Sequence, residues 1–115
     1  MESDIGGVEV AKFLLTATYT VQGVKGLRQD GGTKRAEIVT AMIENAGGSV
    51  EALYFAFEEH DSYVLCDLPD QQTAVSIALA IRSAGGLDLR VTPLMTPADV
   101  DQVMQLRVAY EPPGA

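Results

Sequence analysis

Glu59, His60 and Asp61 set two carboxylates and the chain's single imidazole on three consecutive positions between two strand-like runs. Histidine beside carboxylates suits a divalent transition metal. An imidazole that titrates near neutrality also suits a general base. Consecutive loop residues point in different directions, however, there is no second histidine, and closed zinc sites take four ligands. The sequence therefore predicts no metal site and no cofactor. The plainer expectation is a solvated turn in which Asp61 accepts from backbone amides.

A second polar group projects from predicted strands: Thr16, Thr18, Tyr54, Asp67 and Arg90. If these share a face, Tyr54, Asp67 and Arg90, with His60 and Asp61 at the loop, form a candidate small-molecule site, because such sites place a few polar groups in an apolar wall. The alternative is that Asp67 and Arg90 form a surface pair worth under about 1 kcal/mol. A third group, Lys25, Arg28, Lys34 and Arg35, is interleaved with Gly23, Gly26, Gly31 and Gly32 and could hold a phosphate or carboxylate at the start of a helix. Its spacing matches neither a P-loop nor a dinucleotide fingerprint, so a solvated basic loop competes with it. Cys66 alternates with Val64 and Leu68 and has no base nearby in sequence, which makes it a small core or interface residue.

The whole chain bounds what these groups can be for. At 115 residues with 47% apolar content, it has the length of one domain and enough apolar residues for a single core. A net charge of -8 repels phosphate backbones and argues against nucleic acid. No run approaches the roughly 18 apolar residues of a membrane span. The acidic start, MESDIGGVEV, lacks the basic and apolar regions of a signal peptide. With one cysteine, no internal disulfide can form, and a cytoplasmic location is expected.

The elements that must position these groups are organised around a hairpin, VEALYFAF and SYVLCDL, flanking Glu58 to Asp61. Alternation and aromatic or β-branched enrichment predict two antiparallel strands joined by a loop of about three to five residues. Before them, residues 1–11 read as a flexible or partner-docked tail, and Lys12 to Tyr19 as a strand. Four glycines limit VQGVKGLRQDGGTKR to a short helical turn around Val24 to Gln29, each glycine costing about 1 kcal/mol in a helix interior. Thr33 is the expected cap of a helix whose core stripe is Ala36, Val39, Met42, Ile43 and Ala46, ended by Gly47 and Gly48. After the hairpin, Asp70 caps a helix with Ala74, Ile77, Ala78, Ile81 and Ala84 on its apolar side, closed by Gly85 and Gly86. A strand from Leu87 to Met95 then meets Pro93, which cannot donate to a ladder, so the strand either lies at an edge or ends there. Thr96 and Pro97 open a further helix to about Val108, and residues 109–115 read as a disordered tail.

Strand, helix, strand, strand, helix, strand is the split βαβ order of a ferredoxin-like α+β sandwich, here with an extra C-terminal helix in one domain spanning residues 12–108. Right-handed crossovers put the first and third strands in the centre. Two helices cover one sheet face. Both sides of the hairpin are nonetheless apolar, with Leu53, Phe55 and Phe57 against Tyr54 and Ala56, and Val64, Cys66 and Leu68 against Tyr63 and Leu65. An uncovered apolar face of this kind marks an interface. The expected partner is a second copy of the chain, in a homodimer or higher homo-oligomer with a barrel-like interior.

The spacing of TVQGVKGL, TKRAEIVTAMIENAGG, VEALYFAFEEHDSYVLCDLPD, SIALAIRSAGG and LMTPADVDQV resembles the GYD-domain family, small bacterial proteins among the dimeric α+β barrels. Where the family's loop carries Gly, then Tyr-Asp, this chain has Glu58, His60 and Asp61, so only Asp61 is retained. The resemblance implies a fold and no settled activity. Two functions are carried from it: a binding or scaffolding module that assembles through its sheet, or a cofactor-independent oxygenase or isomerase for a small aromatic or polyketide-like molecule.

Overall fold

A computed structural model describes residues 11–114; of the expected tail of residues 1–11, residues 1–10 lie outside them and Ala11 opens the first strand. Strand β1 (Ala11–Tyr19) turns Phe13, Leu15 and Ala17 into the core. It is followed by α1 (Val21–Asp30) and α2 (Gly32–Asn45), then the hairpin β2 (Ser49–Phe55) and β3 (Ser62–Leu68). The chain closes with α3 (Gln71–Ala84), β4 (Leu87–Leu94) and α4 (Pro97–Gln105). All pairings are antiparallel, in the order β2-β3-β1-β4, with β1 and β3 central as right-handed crossovers require.

The core lies between the sheet and the helices. Phe13, Leu15, Val64, Cys66, Leu68 and Leu89 project from the strands onto Ile43 of α2 and Ala74, Ile77 and Ala78 of α3. Ile43 and Ala74 are completely buried, so the i, i+3, i+4 stripes read from the sequence are the faces that pack. Burial pushes the Cys66 thiol up to about 11.

Helix ends follow their capping residues. Asp70 accepts from the Thr73 backbone N–H at 2.7 Å and from its hydroxyl at 2.6 Å, and these bonds lower the Asp70 carboxyl below its ordinary value. Gly85 ends α3 in the left-handed region at φ 83°. Thr96 and Asp99 form a reciprocal capping box at α4, with Pro97 at the first helical position.

The structure corrects four local expectations. The glycine-rich segment is a full ten-residue helix, α1, capped by Thr20, whose hydroxyl accepts from the Gly23 N–H. Gly23 is required there: a Cβ would lie 1.8 Å from the Gly86 carbonyl oxygen, so tertiary contact outweighs poor helix propensity. Thr33 is not the cap of α2; Gly31 occupies that position at φ 86°, and Thr33 sits inside the first turn. Strand β2 stops at Phe55, and the loop of residues 56–61 is longer than expected, because Phe57 takes a left-handed φ of 57° and leaves the ladder to stack on Phe55. Finally, α4 ends at Gln105 and not near Val108, with Leu106 extended at φ -73° and ψ 144°.

Both edges of the sheet are interrupted. On β2 the register shifts between Val50 and Ala52, leaving Glu51 as a bulge. On β4, Pro93 opposes Phe13 and brings no N–H to the ladder.

Candidate functional site

Strand parity decides what faces away from the helices. On β1 these are Lys12, Leu14, Thr16 and Thr18; on β3, Tyr63, Leu65 and Asp67; on β2, Ala52 and Tyr54; on β4, Asp88, Arg90, Thr92 and Leu94. Among the described residues no helix packs over this surface. The four helices account for the opposite face, except α4, which buries none of its residues and makes no extensive contact with another element.

The face is banded. Its middle row runs Ala52, Leu65, Leu14 and Thr92 across the four strands. Next to it lies Tyr54, Tyr63, Thr16 and Arg90, in which Thr16 is buried while Tyr54 is 72% exposed. At one end Lys12 bridges Glu51 and Asp67, the latter at 3.0 Å, and hydrogen bonds to those two carboxylates raise the Lys12 ammonium above its usual range. At the other end Asp88 pairs with Arg90 and with Arg82 from α3, each at 3.1 Å. The second face is therefore less uniformly apolar than the hairpin alone predicts. An apolar and aromatic centre is framed by charged ends, the anatomy of a protein interface.

The hairpin loop closes over one end of this face. Thr18 Oγ1 lies 3.4 Å from His60 Nδ1, and the imidazole meets the Tyr63 ring edge-on at 5.8 Å. His60 Nε2 is 3.5 Å from a Glu59 carboxylate that is otherwise open to solvent. Asp61 turns the other way. Its carboxylate accepts from the Tyr19 backbone N–H at 2.7 Å, its own N–H donates to the Ala17 carbonyl at 2.8 Å, and its carbonyl accepts from Ala56. Asp61 thus fastens the loop to β1, extending the central pairing past Ser62, and leaves His60 poised over Thr18. Glu59, His60 and Asp61 do not converge, and among the described residues no three His, Cys, Asp or Glu side chains are grouped to hold a metal ion.

Of the strand residues singled out in the sequence, Tyr54 and Arg90 fall in one row but on the opposite edge strands β2 and β4, with Tyr63 and Thr16 between them, whereas Asp67 belongs to the Lys12 end. Sequence reasoning passed over Tyr63, the ring that carries His60, although its alternation with Leu65 already put it on this side. It also passed over Lys12 and Asp88, which pair the ends. The basic quartet disperses: Lys25 and Arg28 are exposed on α1, Lys34 pairs with Asp30 at 3.7 Å, and Arg35 lines an open cavity beside α1.

No curated protein and no solved structure matches the chain. The family profile of the GYD domain does, over residues 13–104, which takes in every element from β1 to the last turn of α4. With that span covering most of the 115 residues and the four-stranded α+β sheet in place, the chain belongs to the GYD-domain family.

Proposed function

We propose that this protein is a homo-oligomeric binding or scaffolding module in which two copies pack the uncovered faces of their sheets together. The observation that carries this reading is the banded face: Leu14, Leu65, Ala52, Tyr54 and Tyr63 form an apolar centre that no helix among the described residues covers, between two charged ends. Burying about 600 Å² of apolar surface per subunit would contribute on the order of 15 kcal/mol before the cost of association. The arm formed by α4 supports the same reading. Val100, Val103 and Met104 recur at helical spacing, and all three are exposed, as are Leu106, Val108 and Tyr110 beyond them. An amphipathic helix with its apolar side open completes its burial on a partner, and a second copy supplies one.

Closing the two faces would enclose Thr18, His60, Tyr63, Tyr54 and Arg90, giving the assembly an interior with polar groups able to hold a small molecule. A reducing cytosolic setting suits the single buried Cys66. Light scattering on the full chain at micromolar concentration tests the assembly: the expected species is twice the 12.2 kDa subunit or a larger multiple, and a lone subunit would remove the reading.

One observation favours the alternative, a cofactor-independent oxygenase or isomerase. His60 Nδ1 lies 3.4 Å from the Thr18 hydroxyl with its ring steadied edge-on by Tyr63, a position from which an imidazole could act as a general base. If His60→Ala leaves ligand binding and any turnover of small aromatic substrates unchanged, this alternative is lost.

A further inference from the structure

Away from the uncovered face, a cavity of about 270 Å³ opens between α1, the last turns of α3 and the start of β4, lined by Tyr19, Gly26, Leu27, Arg35, Ile81 and Leu87 among others. An adjoining void of about 30 Å³ reaches toward the core and shares Tyr19, Arg35, Ile81 and Leu87 with it. Arg35 therefore stands where the two meet. Its Nε is buried and has no hydrogen-bond partner, and it pairs with no carboxylate among the described residues. Asp30, the acidic residue on the same wall, is drawn to Lys34 instead. On a half-buried guanidinium set against apolar walls, that buried N–H is a donor left for an acceptor to satisfy, and a carboxylate is an acceptor that suits it.

Gly26 of α1 lines the same cavity. Glycine is among the least favourable residues in a helix interior. Gly23 is explained by its close approach to Gly86, but a Cβ at Gly26 would meet nothing within 4 Å. No packing contact demands glycine there. A larger side chain at this position would have room to reach into the cavity.

We propose that this cavity binds a small carboxylic acid with an apolar body, the carboxylate on the Arg35 guanidinium and the body against Leu27, Ile81 and Leu87. A guanidinium presents paired N–H donors that match a carboxylate. The volume lies just under the usual range for ligand pockets, which limits the body to a single ring or a short branched chain. This site does not depend on the assembly of the sheet faces, so either can fail without the other.

The test uses the full chain, titrated with benzoate and isovalerate, with benzamide and inorganic phosphate as controls, and read by the arginine Nε signals in a 1H–15N spectrum and by thermal shift. The Nε signal that vanishes in Arg35→Gln is expected to move saturably with at least one of the acids, and the melting temperature to rise with it. Arg35→Gln should abolish the thermal response. Gly26→Leu, which fills the cavity with Arg35 retained, should weaken the response at least tenfold while the protein melts no lower than the parent. The proposal is overturned if neither acid moves the Arg35 signal, if benzamide or phosphate moves it as strongly as the acids, or if Gly26→Leu melts as the parent does and binds as well.

Discussion

The two faces of one sheet are built from the same strands and differ in what they ask of their surroundings. On the helix side every inward residue of β3 from Ser62 to Leu68 is buried under side chains supplied by this chain. On the other side Tyr63, Leu65 and Asp67 of the same strand remain half-exposed, ordered into an apolar centre with charged ends. The first face is complete within the subunit and carries stability. The second is left without cover among the described residues, and the proposed assembly would use it. Mutations should divide along that line.

The largest effect on stability is expected from Ile43→Ala. Ile43 is fully buried at the centre of the helix-side core, and truncation should cost about 2 to 5 kcal/mol. Urea denaturation should show it, with the folded fraction keeping its parent oligomeric state. Leu65→Asp inverts the pattern: a charge in the middle of the uncovered face should weaken self-association about a hundredfold or more in sedimentation experiments, while far-ultraviolet circular dichroism stays that of the parent. If Leu65→Asp instead unfolds the subunit, the division between the faces is wrong.

Alkaline pH probes the helix side through Cys66. Its thiol titrates at 9.0 when free and at about 11 when folded, so the unfolded chain loses its proton first. Stability should be intact below pH 9.0 and fall between there and about 11, by on the order of 2 kcal/mol. Chemical denaturation at a series of pH values should reveal that slope, and Cys66→Ala should lack it. The smallest effect belongs to the arm. Removing residues 96–115 deletes α4 and should weaken assembly about tenfold in the same sedimentation measurement, without lowering the stability of the remaining subunit, because no residue of α4 is buried among the described residues.

How far these features could be read in the sequence depends on whether their cause is local. Asp70, Gly85, Thr96 and Pro97 act on neighbours three or four residues away, and each marks the helix end expected of it. Alternation in β1 and β3 likewise assigned core residues directly. Helix α1 escaped notice because its decisive contact is remote: Gly23 is tolerated in a helix since Gly86, far along the chain, needs the space. Thr20 was the local signal that could have found the helix start. In the candidate site, Tyr54, His60 and Arg90 were recognisable as polar residues on or beside strands, but their grouping depends on register, which only the assembled sheet supplies. Arg35 was one of four similar cations until burial set it apart.

The interrupted margins of the sheet have a consequence for how copies can add. A strand arriving sideways would meet the Glu51 bulge on one border and the missing donor of Pro93 on the other, so neither offers a continuous ladder for recruitment. Lateral growth into fibrils, strand by strand along either border, is thereby discouraged.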